Sequence, residues 1–170
     1  MNPAALLAVS AGVAHGQNQE REVRMTLTIR DVRAEDVRIL RRLMGELGGR
    51  GVSPEQMEDR LRLVERSPID SLYLCEEDGV ALGLLGFRIR ENLEEESRYG
   101  EISLIVVDAG ARRRGIGRFM MEYAERLARE KGCLGTWLVS DFGREEQAHR
   151  FYKDLGYEVT GYRFVKPLKG

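Results

Sequence analysis

The spacing of apolar residues changes along the chain, and each change marks a predicted element. Met25-Thr26-Leu27-Thr28-Ile29-Arg30 reads as a first strand. Val37, Leu40, Met44 and Leu47 then recur at i, i+3, i+7 and i+10, which predicts a helix stopped by Gly48-Gly49. Ser53-Pro54-Glu55 has the form of a helix N-cap with proline at the first helical position, and Met57, Leu61 and Val64 line that second helix. Ser71 to Glu76 and Val80 to Arg90 flank Asp78-Gly79, a hairpin turn signal. A charged loop, Asn92 to Arg98, precedes a strand over Tyr99 to Asp108. Simple alternation puts Ile102, Leu104 and Val106 on one face, with Glu101, Ser103, Ile105 and Val107 on the other. Beyond a turn over Gly110 to Gly117, a long helix carries the stripe Ile116, Phe119, Met120, Tyr123 and Leu127, closed by Gly132. Leu134 to Val139 is a further strand, and Arg144 to Leu155 a helix closed by Gly156. Tyr157 to Leu168 is expected to end the body as one or two strands. The order β-α-α-β-β-β-α-β-α-β-(β) predicts an α/β (α+β) domain, with a twisted mixed sheet of about six or seven strands flanked by about four helices.

Composition narrows the functional classes. A chain of 170 residues buries roughly 70% of its unfolded surface, enough for one core without staples. Lys and Arg total 27 against 28 Asp and Glu, a net charge of −1 that argues against coating nucleic acid or an anionic membrane. Cys75 and Cys133 make no disulfide framework, and with only His15 and His149 present no zinc-type cluster is expected. The apolar stretch Ala4 to Ala14 is too short to span a bilayer and lacks a basic leader. Residues 1–24 therefore read as an extension outside the fold, residues 25–170 as the domain, and the cytoplasm as its compartment.

Chemistry concentrates at Val106-Val107-Asp108-Ala109-Gly110-Ala111-Arg112-Arg113-Arg114-Gly115-Ile116-Gly117, where a strand ends and a helix begins. The first amides of a helix have no acceptor within it and point outward as anion donors. Gly115 and Gly117 let a phosphate approach the backbone. No lysine follows Gly117 as a Walker loop requires, and Met120 stands where a dinucleotide fingerprint needs its third glycine. A solvated basic turn with no ligand is the plainer alternative.

Arg112-Arg113-Arg114-Gly115-Ile116-Gly117 resembles the Q/R-x-x-G-x-G/A signature of the GNAT N-acetyltransferase superfamily. Ala148-His149-Arg150-Phe151-Tyr152-Lys153-Asp154-Leu155-Gly156-Tyr157 resembles the same family's A-x-x-[FL]-Y-x-x-x-G-[FY] element. The resemblance covers Met25 to about Leu168. It implies transfer of an acetyl group from acetyl-CoA to a primary amine by direct attack on the thioester. It also implies that the Arg112–Gly117 turn grips the pyrophosphate. The strands at Ser103–Val107 and Leu134–Val139 would splay apart, and the pantetheine arm would pair with the backbone over Ile105, Val106 and Val107. An amide near Ile105 would then polarise the acetyl carbonyl. Ser140-Asp141 replaces an asparagine common in the family, so Asp141 is a candidate for capping the next helix, touching pantetheine or meeting the amine.

Two proton problems follow from that chemistry. An alkylammonium of pKa ~10.4 is neutral in about one molecule in 2,500 at pH 7, so freeing its lone pair costs roughly 4–5 kcal/mol without a base. The departing thiolate must also be stabilised. By the resemblance Tyr152 serves the thiolate, donating a hydrogen bond first, because a phenol of pKa ~10 gives its proton to a thiolate of pKa ~8.5 about 2 kcal/mol uphill. Glu101 is the candidate base, through a water, with an exposed strand-end carboxylate as the alternative. His149 shares the Tyr152 helix face and is read as a surface or packing residue. Neither cysteine lies at a motif, so no covalent enzyme intermediate is expected.

A small-molecule amine is the expected acceptor, with a protein lysine or N-terminus as the other option. Glu91, Glu94, Glu95 and Glu96 would draw in a polycation such as a polyamine or aminoglycoside, or simply face solvent. From a different class comes a non-catalytic acyl-CoA sensor of the same fold, against which the combination of Tyr152 and an intact cradle argues. A homodimer is in keeping with the resemblance.

Overall fold

Five strands order the molecule. The computed structural model describes residues 26–47, 51–140 and 148–168. Along them run β1 (Leu27–Asp31), α1 (Val37–Gly45), α2 (Pro54–Arg66), β2 (Asp70–Glu77), β3 (Val80–Asn92), β4 (Ser97–Val107), α3 (Ile116–Glu130), β5 (Gly135–Leu138) and α4 (Arg150–Asp154). Spatial strand order follows chain order. The first four strands are antiparallel, and β5 lies parallel to β4. A parallel neighbour needs a crossover, which α3 supplies.

Each face of the sheet buries a separate core. Tyr73, Leu85, Phe87 and Ile102 pack on the α3 stripe of Ile116, Met120 and Ala124. Leu74, Leu84 and Val106 pack on Leu40 and Leu43 of α1 and Met57 of α2. A buried side chain of this kind contributes about 1.5–3 kcal/mol, so the two cores account for most of the favourable energy. The predicted α2 start is present: Ser53 Oγ accepts from the Gln56 N–H at 3.2 Å, and Gln56 Oε1 accepts from the Ser53 N–H at 3.0 Å. Such a cap is worth about 1 kcal/mol. Asp36, just before α1, is buried and takes both guanidinium ends of Arg30 at 2.7 and 2.9 Å. That pair holds the Asp36 carboxyl below the usual carboxylate range and ties β1 to α1.

Three predicted features differ. The charged loop is shorter than expected, since Asn92 pairs with Ser97 and only the four residues between them turn the hairpin. Arg98, at its end, forms a cross-strand ion pair with Glu91 at 2.7 Å, which supports pairing where composition suggested a loop. The sheet has five strands among the described residues, not six or seven, because Tyr157–Leu168 has strand-like composition but pairs with no strand of the sheet. Strands exist only by pairing, and among the described residues the outer edge of β5 has no partner. Of the fourth predicted helix, residues 150–154 are α-helical, while 141–147 fall outside the described residues, as do 1–25 and Gly48-Gly49. Among the described residues, no helix is long and apolar enough to cross a membrane, and no cluster of His, Cys, Asp or Glu could hold a metal.

Candidate active site

A bulge in β4 builds the site. Gly86 on β3 pairs with Leu104, yet the next residue, Phe87, pairs with Ile102, so Ser103 is an extra residue with no counterpart. A Cβ on Gly86 would lie 2.7 Å from Ser103 Oγ, so only glycine leaves room for the bulge. The bulge reverses the alternation of β4. Glu101 therefore lies on the α1–α2 face with Leu104 and Val106, while Ile102, Ile105 and Val107 face α3. Simple alternation placed Glu101 with Ser103, Ile105 and Val107; the inserted residue overturns that grouping.

Beyond the bulge, β4 loses its outer neighbour. Pairing with β5 runs from Tyr99↔Gly135 to Ile102↔Leu138 and stops. The Asp108 N–H is donated inward to Leu82 O at 2.8 Å, so by alternation the N–H groups of Ile105 and Val107 face the open side. Val106 does not reach that side: it pairs with Leu84 and its side chain is buried against α1. Among the described residues, two peptide donors thus stand where β4 has no outer partner, a cleft that an extended amide-bearing ligand would complete as a further strand.

At the end of that cleft, Arg112 to Gly117 turn into α3. Arg113 has φ +63° and Gly115 φ +81°, both in the left-handed region. A strained arginine there costs about 1–3 kcal/mol, and such strain concentrates at ligand clamps. Gly115 adopts its angle without strain, and space beside it is open. Phe119 is the first residue of α3 whose N–H finds a helical acceptor, Gly115 O at 3.0 Å, so the amides of Ile116, Gly117 and Arg118 precede the ladder and are available to an anion. Gly117 has a different reason: a Cβ there would sit 3.3 Å from the Phe151 ring and 3.8 Å from Val107. It brings α4 against the start of α3. Arg112 and Arg114 are engaged by acids in this structure, Arg112 with Glu46 at 2.9 Å and Arg114 with Glu77 at 2.5 Å. Asp108 anchors the turn, accepting from the Gly110 N–H at 3.0 Å and pairing with Arg42 of α1.

Tyr152 stands on α4 beside this junction. Its ring is edge-on to Phe151 at 5.2 Å and to Tyr157 at 6.3 Å. Tyr157 is fixed by Thr136 of β5, hydroxyl to hydroxyl at 2.6 Å, and burial pushes its phenol up. So Phe151, Tyr152 and Tyr157 bridge α3 and β5 across the cleft on the α3 side. His149 precedes α4, half-buried in a wide turn. Burial pushes the Cys75 thiol up to about 12 and the Cys133 thiol upward as well, so both stay protonated near neutrality. Asp141 lies outside the described residues.

On the opposite face, Glu101 is largely covered and gripped by arginines. Its Oε2 accepts from Arg90 Nε at 2.5 Å and lies 3.9 Å from Arg88 Nη1. Arg88 Nε in turn donates to Asp70 Oδ1 at 2.5 Å. Burial acts to raise the Asp70 carboxyl, but the Ser67 hydroxyl and Arg88 outweigh it and hold it below the usual range. Sequence reasoning named Glu101 but missed Asp70, Arg88 and Arg90. Their signal was the hairpin register, which places Asp70, Arg88, Glu101 and Trp137 side by side across four strands.

Residues 37–157 match the Acetyltransferase (GNAT) family. The aminoalkylphosphonate N-acetyltransferase of Salmonella typhimurium is 33% identical over 91 residues, covering 54% of this chain and 58% of that protein. Elongator complex protein 3 of Mus musculus is 32% identical over an alignment of 190 positions, covering 95% of this chain and 32% of that protein. The chain thus spans less than two thirds of the length of these relatives. Among solved structures, an aminoglycoside N-acetyltransferase AAC(6')-Iy in complex with CoA superposes with a TM-score of 0.75 at 18% identity, over 88% of this chain and 99% of that one.

Proposed function

This chain belongs to the GNAT acetyltransferase family, and from that premise we propose that it transfers the acetyl group of acetyl-CoA to a primary amine on a small molecule. The observation that carries the reading is the cleft where β5 leaves β4 at Ile102, with peptide donors at Ile105 and Val107 that no described residue takes and the α3 amides at its end. Those groups fit acetyl-CoA: an amide-bearing arm along β4, a pyrophosphate at Ile116 and Gly117, and guanidinium charge from Arg112, Arg113 and Arg114. Bound there, acetyl-CoA supplies an activated thioester that an amine attacks directly. The raised thiols of buried Cys75 and half-buried Cys133 argue against an acyl-cysteine route.

In this reading the Ile105 N–H donates to the developing oxyanion, a contribution worth about 3–4 kcal/mol where such donors have been removed. Tyr152 donates a hydrogen bond to the departing sulfur. Glu101 holds the acceptor's ammonium and takes its proton through a water. Small-molecule acceptors are supported by the names of the Salmonella protein and of the aminoglycoside enzyme. The open β5 edge, followed by the exposed Tyr162, Phe164 and Val165, supports a homodimer in which these segments pair. Two free cysteines suit the reducing cytoplasm.

Titration calorimetry with acetyl-CoA, desulfo-CoA and ATP tests the reading. Both CoA forms bind and ATP does not if the cleft holds pantetheine. Failure of acetyl-CoA to bind removes the enzyme reading.

A further inference from the structure

Resting on that reading, we infer that the acceptor is an amphoteric amine, one carrying a carboxylate, phosphonate or phosphate besides its amino group. Arg88 and Arg90 would hold the acid. The inference begins with which face of the sheet is open. Phe151, Tyr152 and α3 occupy the α3 side of the cleft, so an amine reaches the carbonyl beside Ile105 from the α1–α2 side. On that side α1 and α2 cover Leu74, Leu84 and Val106 but leave the row of Asp70, Arg88, Glu101 and Trp137. Arg90, in the next row opposite Tyr99, reaches back to Glu101.

This surface carries two guanidiniums and two carboxylates on neighbouring strands. Arg88 and Arg90 keep 33% and 48% of their side chains exposed, against 14% for Glu101. Arg90 spends only its Nε on Glu101. Its two terminal nitrogens, four N–H donors in fork geometry, remain for an anion. Glu101 lies two residues before the bulge on the strand that carries Ile105, so an ammonium drawn to it approaches along β4 toward the thioester position, while an acid group two to four bonds away meets Arg90. A diamine or polyamine of the kind the Glu91–Glu96 segment suggested would set its second cation against Arg88 or Arg90. A groove of about 520 Å³ between α2 and the β1–α1 connection opens beside Asp70, and it is of the size that holds a small molecule.

The test compares acceptors matched in length on the full chain: 3-aminopropanoate, 2-aminoethylphosphonate, 3-aminopropanamide and 1,3-diaminopropane, each with acetyl-CoA. We expect kcat/KM at least tenfold higher for one or both acid-bearing amines than for the neutral amide or the diamine. The carboxylate and phosphonate arms tell which anion the fork prefers. In Arg90→Gln that advantage should fall to within about twofold, through KM, with melting temperature and acetyl-CoA affinity as folding controls. Arg90→Lys, which keeps charge but loses the fork, should recover part of it. Equal or better use of the amide or diamine overturns the inference and leaves the acetyltransferase standing. Acetylation of none of the four, with acetyl-CoA bound, overturns the inference and the small-amine acceptor together. Absence of acetyl-CoA binding overturns the underlying reading.

Discussion

The two ends of the cleft are built from different materials. The α3 end is main chain: amides at the start of a helix, a left-handed Gly115, and a glycine contact at Gly117. The opposite end is side chain: Arg88, Arg90, Asp70 and Glu101 standing on a strand face. Backbone donors are set by a dozen consecutive residues and do not titrate. The side-chain cluster depends on the register of three strands and on carboxylates that do. One end is therefore suited to a constant ligand, and the other can change specificity by substitution without disturbing the fold.

The contrast can be broken most sharply at Gly117. Gly117→Leu collides with Phe151 and Val107, and acetyl-CoA affinity measured by calorimetry should fall more than about 100-fold, near 2.7 kcal/mol. Unchanged affinity would mean that the α3 end is not where the pyrophosphate binds. Tyr152→Phe should lower kcat by roughly 100-fold, the lower end for a positioned proton donor, with acetyl-CoA affinity within a few-fold. A variant as fast as the parent removes Tyr152 from the reaction.

Smaller effects separate the two ends by pH and by charge. Because the Asp70 carboxyl sits below its unfolded value of about 3.9, it contributes stability above that pH and loses it as the pH falls through the folded value. Asp70→Asn should cost about 1 kcal/mol at pH 7, a difference that narrows in thermal melts below about pH 4. An equal cost at both pH values would show that packing, not charge, holds Asp70. Glu46→Gln frees Arg112 and should tighten acetyl-CoA by no more than about fivefold, since exposed pairs are worth about 0.2–1 kcal/mol. Weaker binding would instead show that Glu46 positions Arg112 for its ligand.

How far the sequence foretold the molecule follows the same division. The α2 cap at Ser53, the turn at Asp78-Gly79, the α3 stripe and the Arg112–Gly117 junction all rest on contacts within a few residues, so each was readable in the string. Glu101 was named from its strand, but its face was misread, because the bulge at Ser103 is specified across the hairpin by Gly86. Arg88 and Arg90 carried no local signal at all. Tyr157–Leu168 has the composition of a strand, yet a strand also needs a partner edge, and no propensity encodes one.

The bulge has one more consequence, for anyone who transplants or recombines β4. Ser103 works as a parity bit: residues before it and after it obey opposite rules for inside and outside. A graft that kept every residue of β4 but closed the bulge, for instance by a bulkier residue at Gly86, would keep every motif and still turn the Glu101 carboxylate toward α3. In this strand the count of residues between two landmarks carries as much information as their identities.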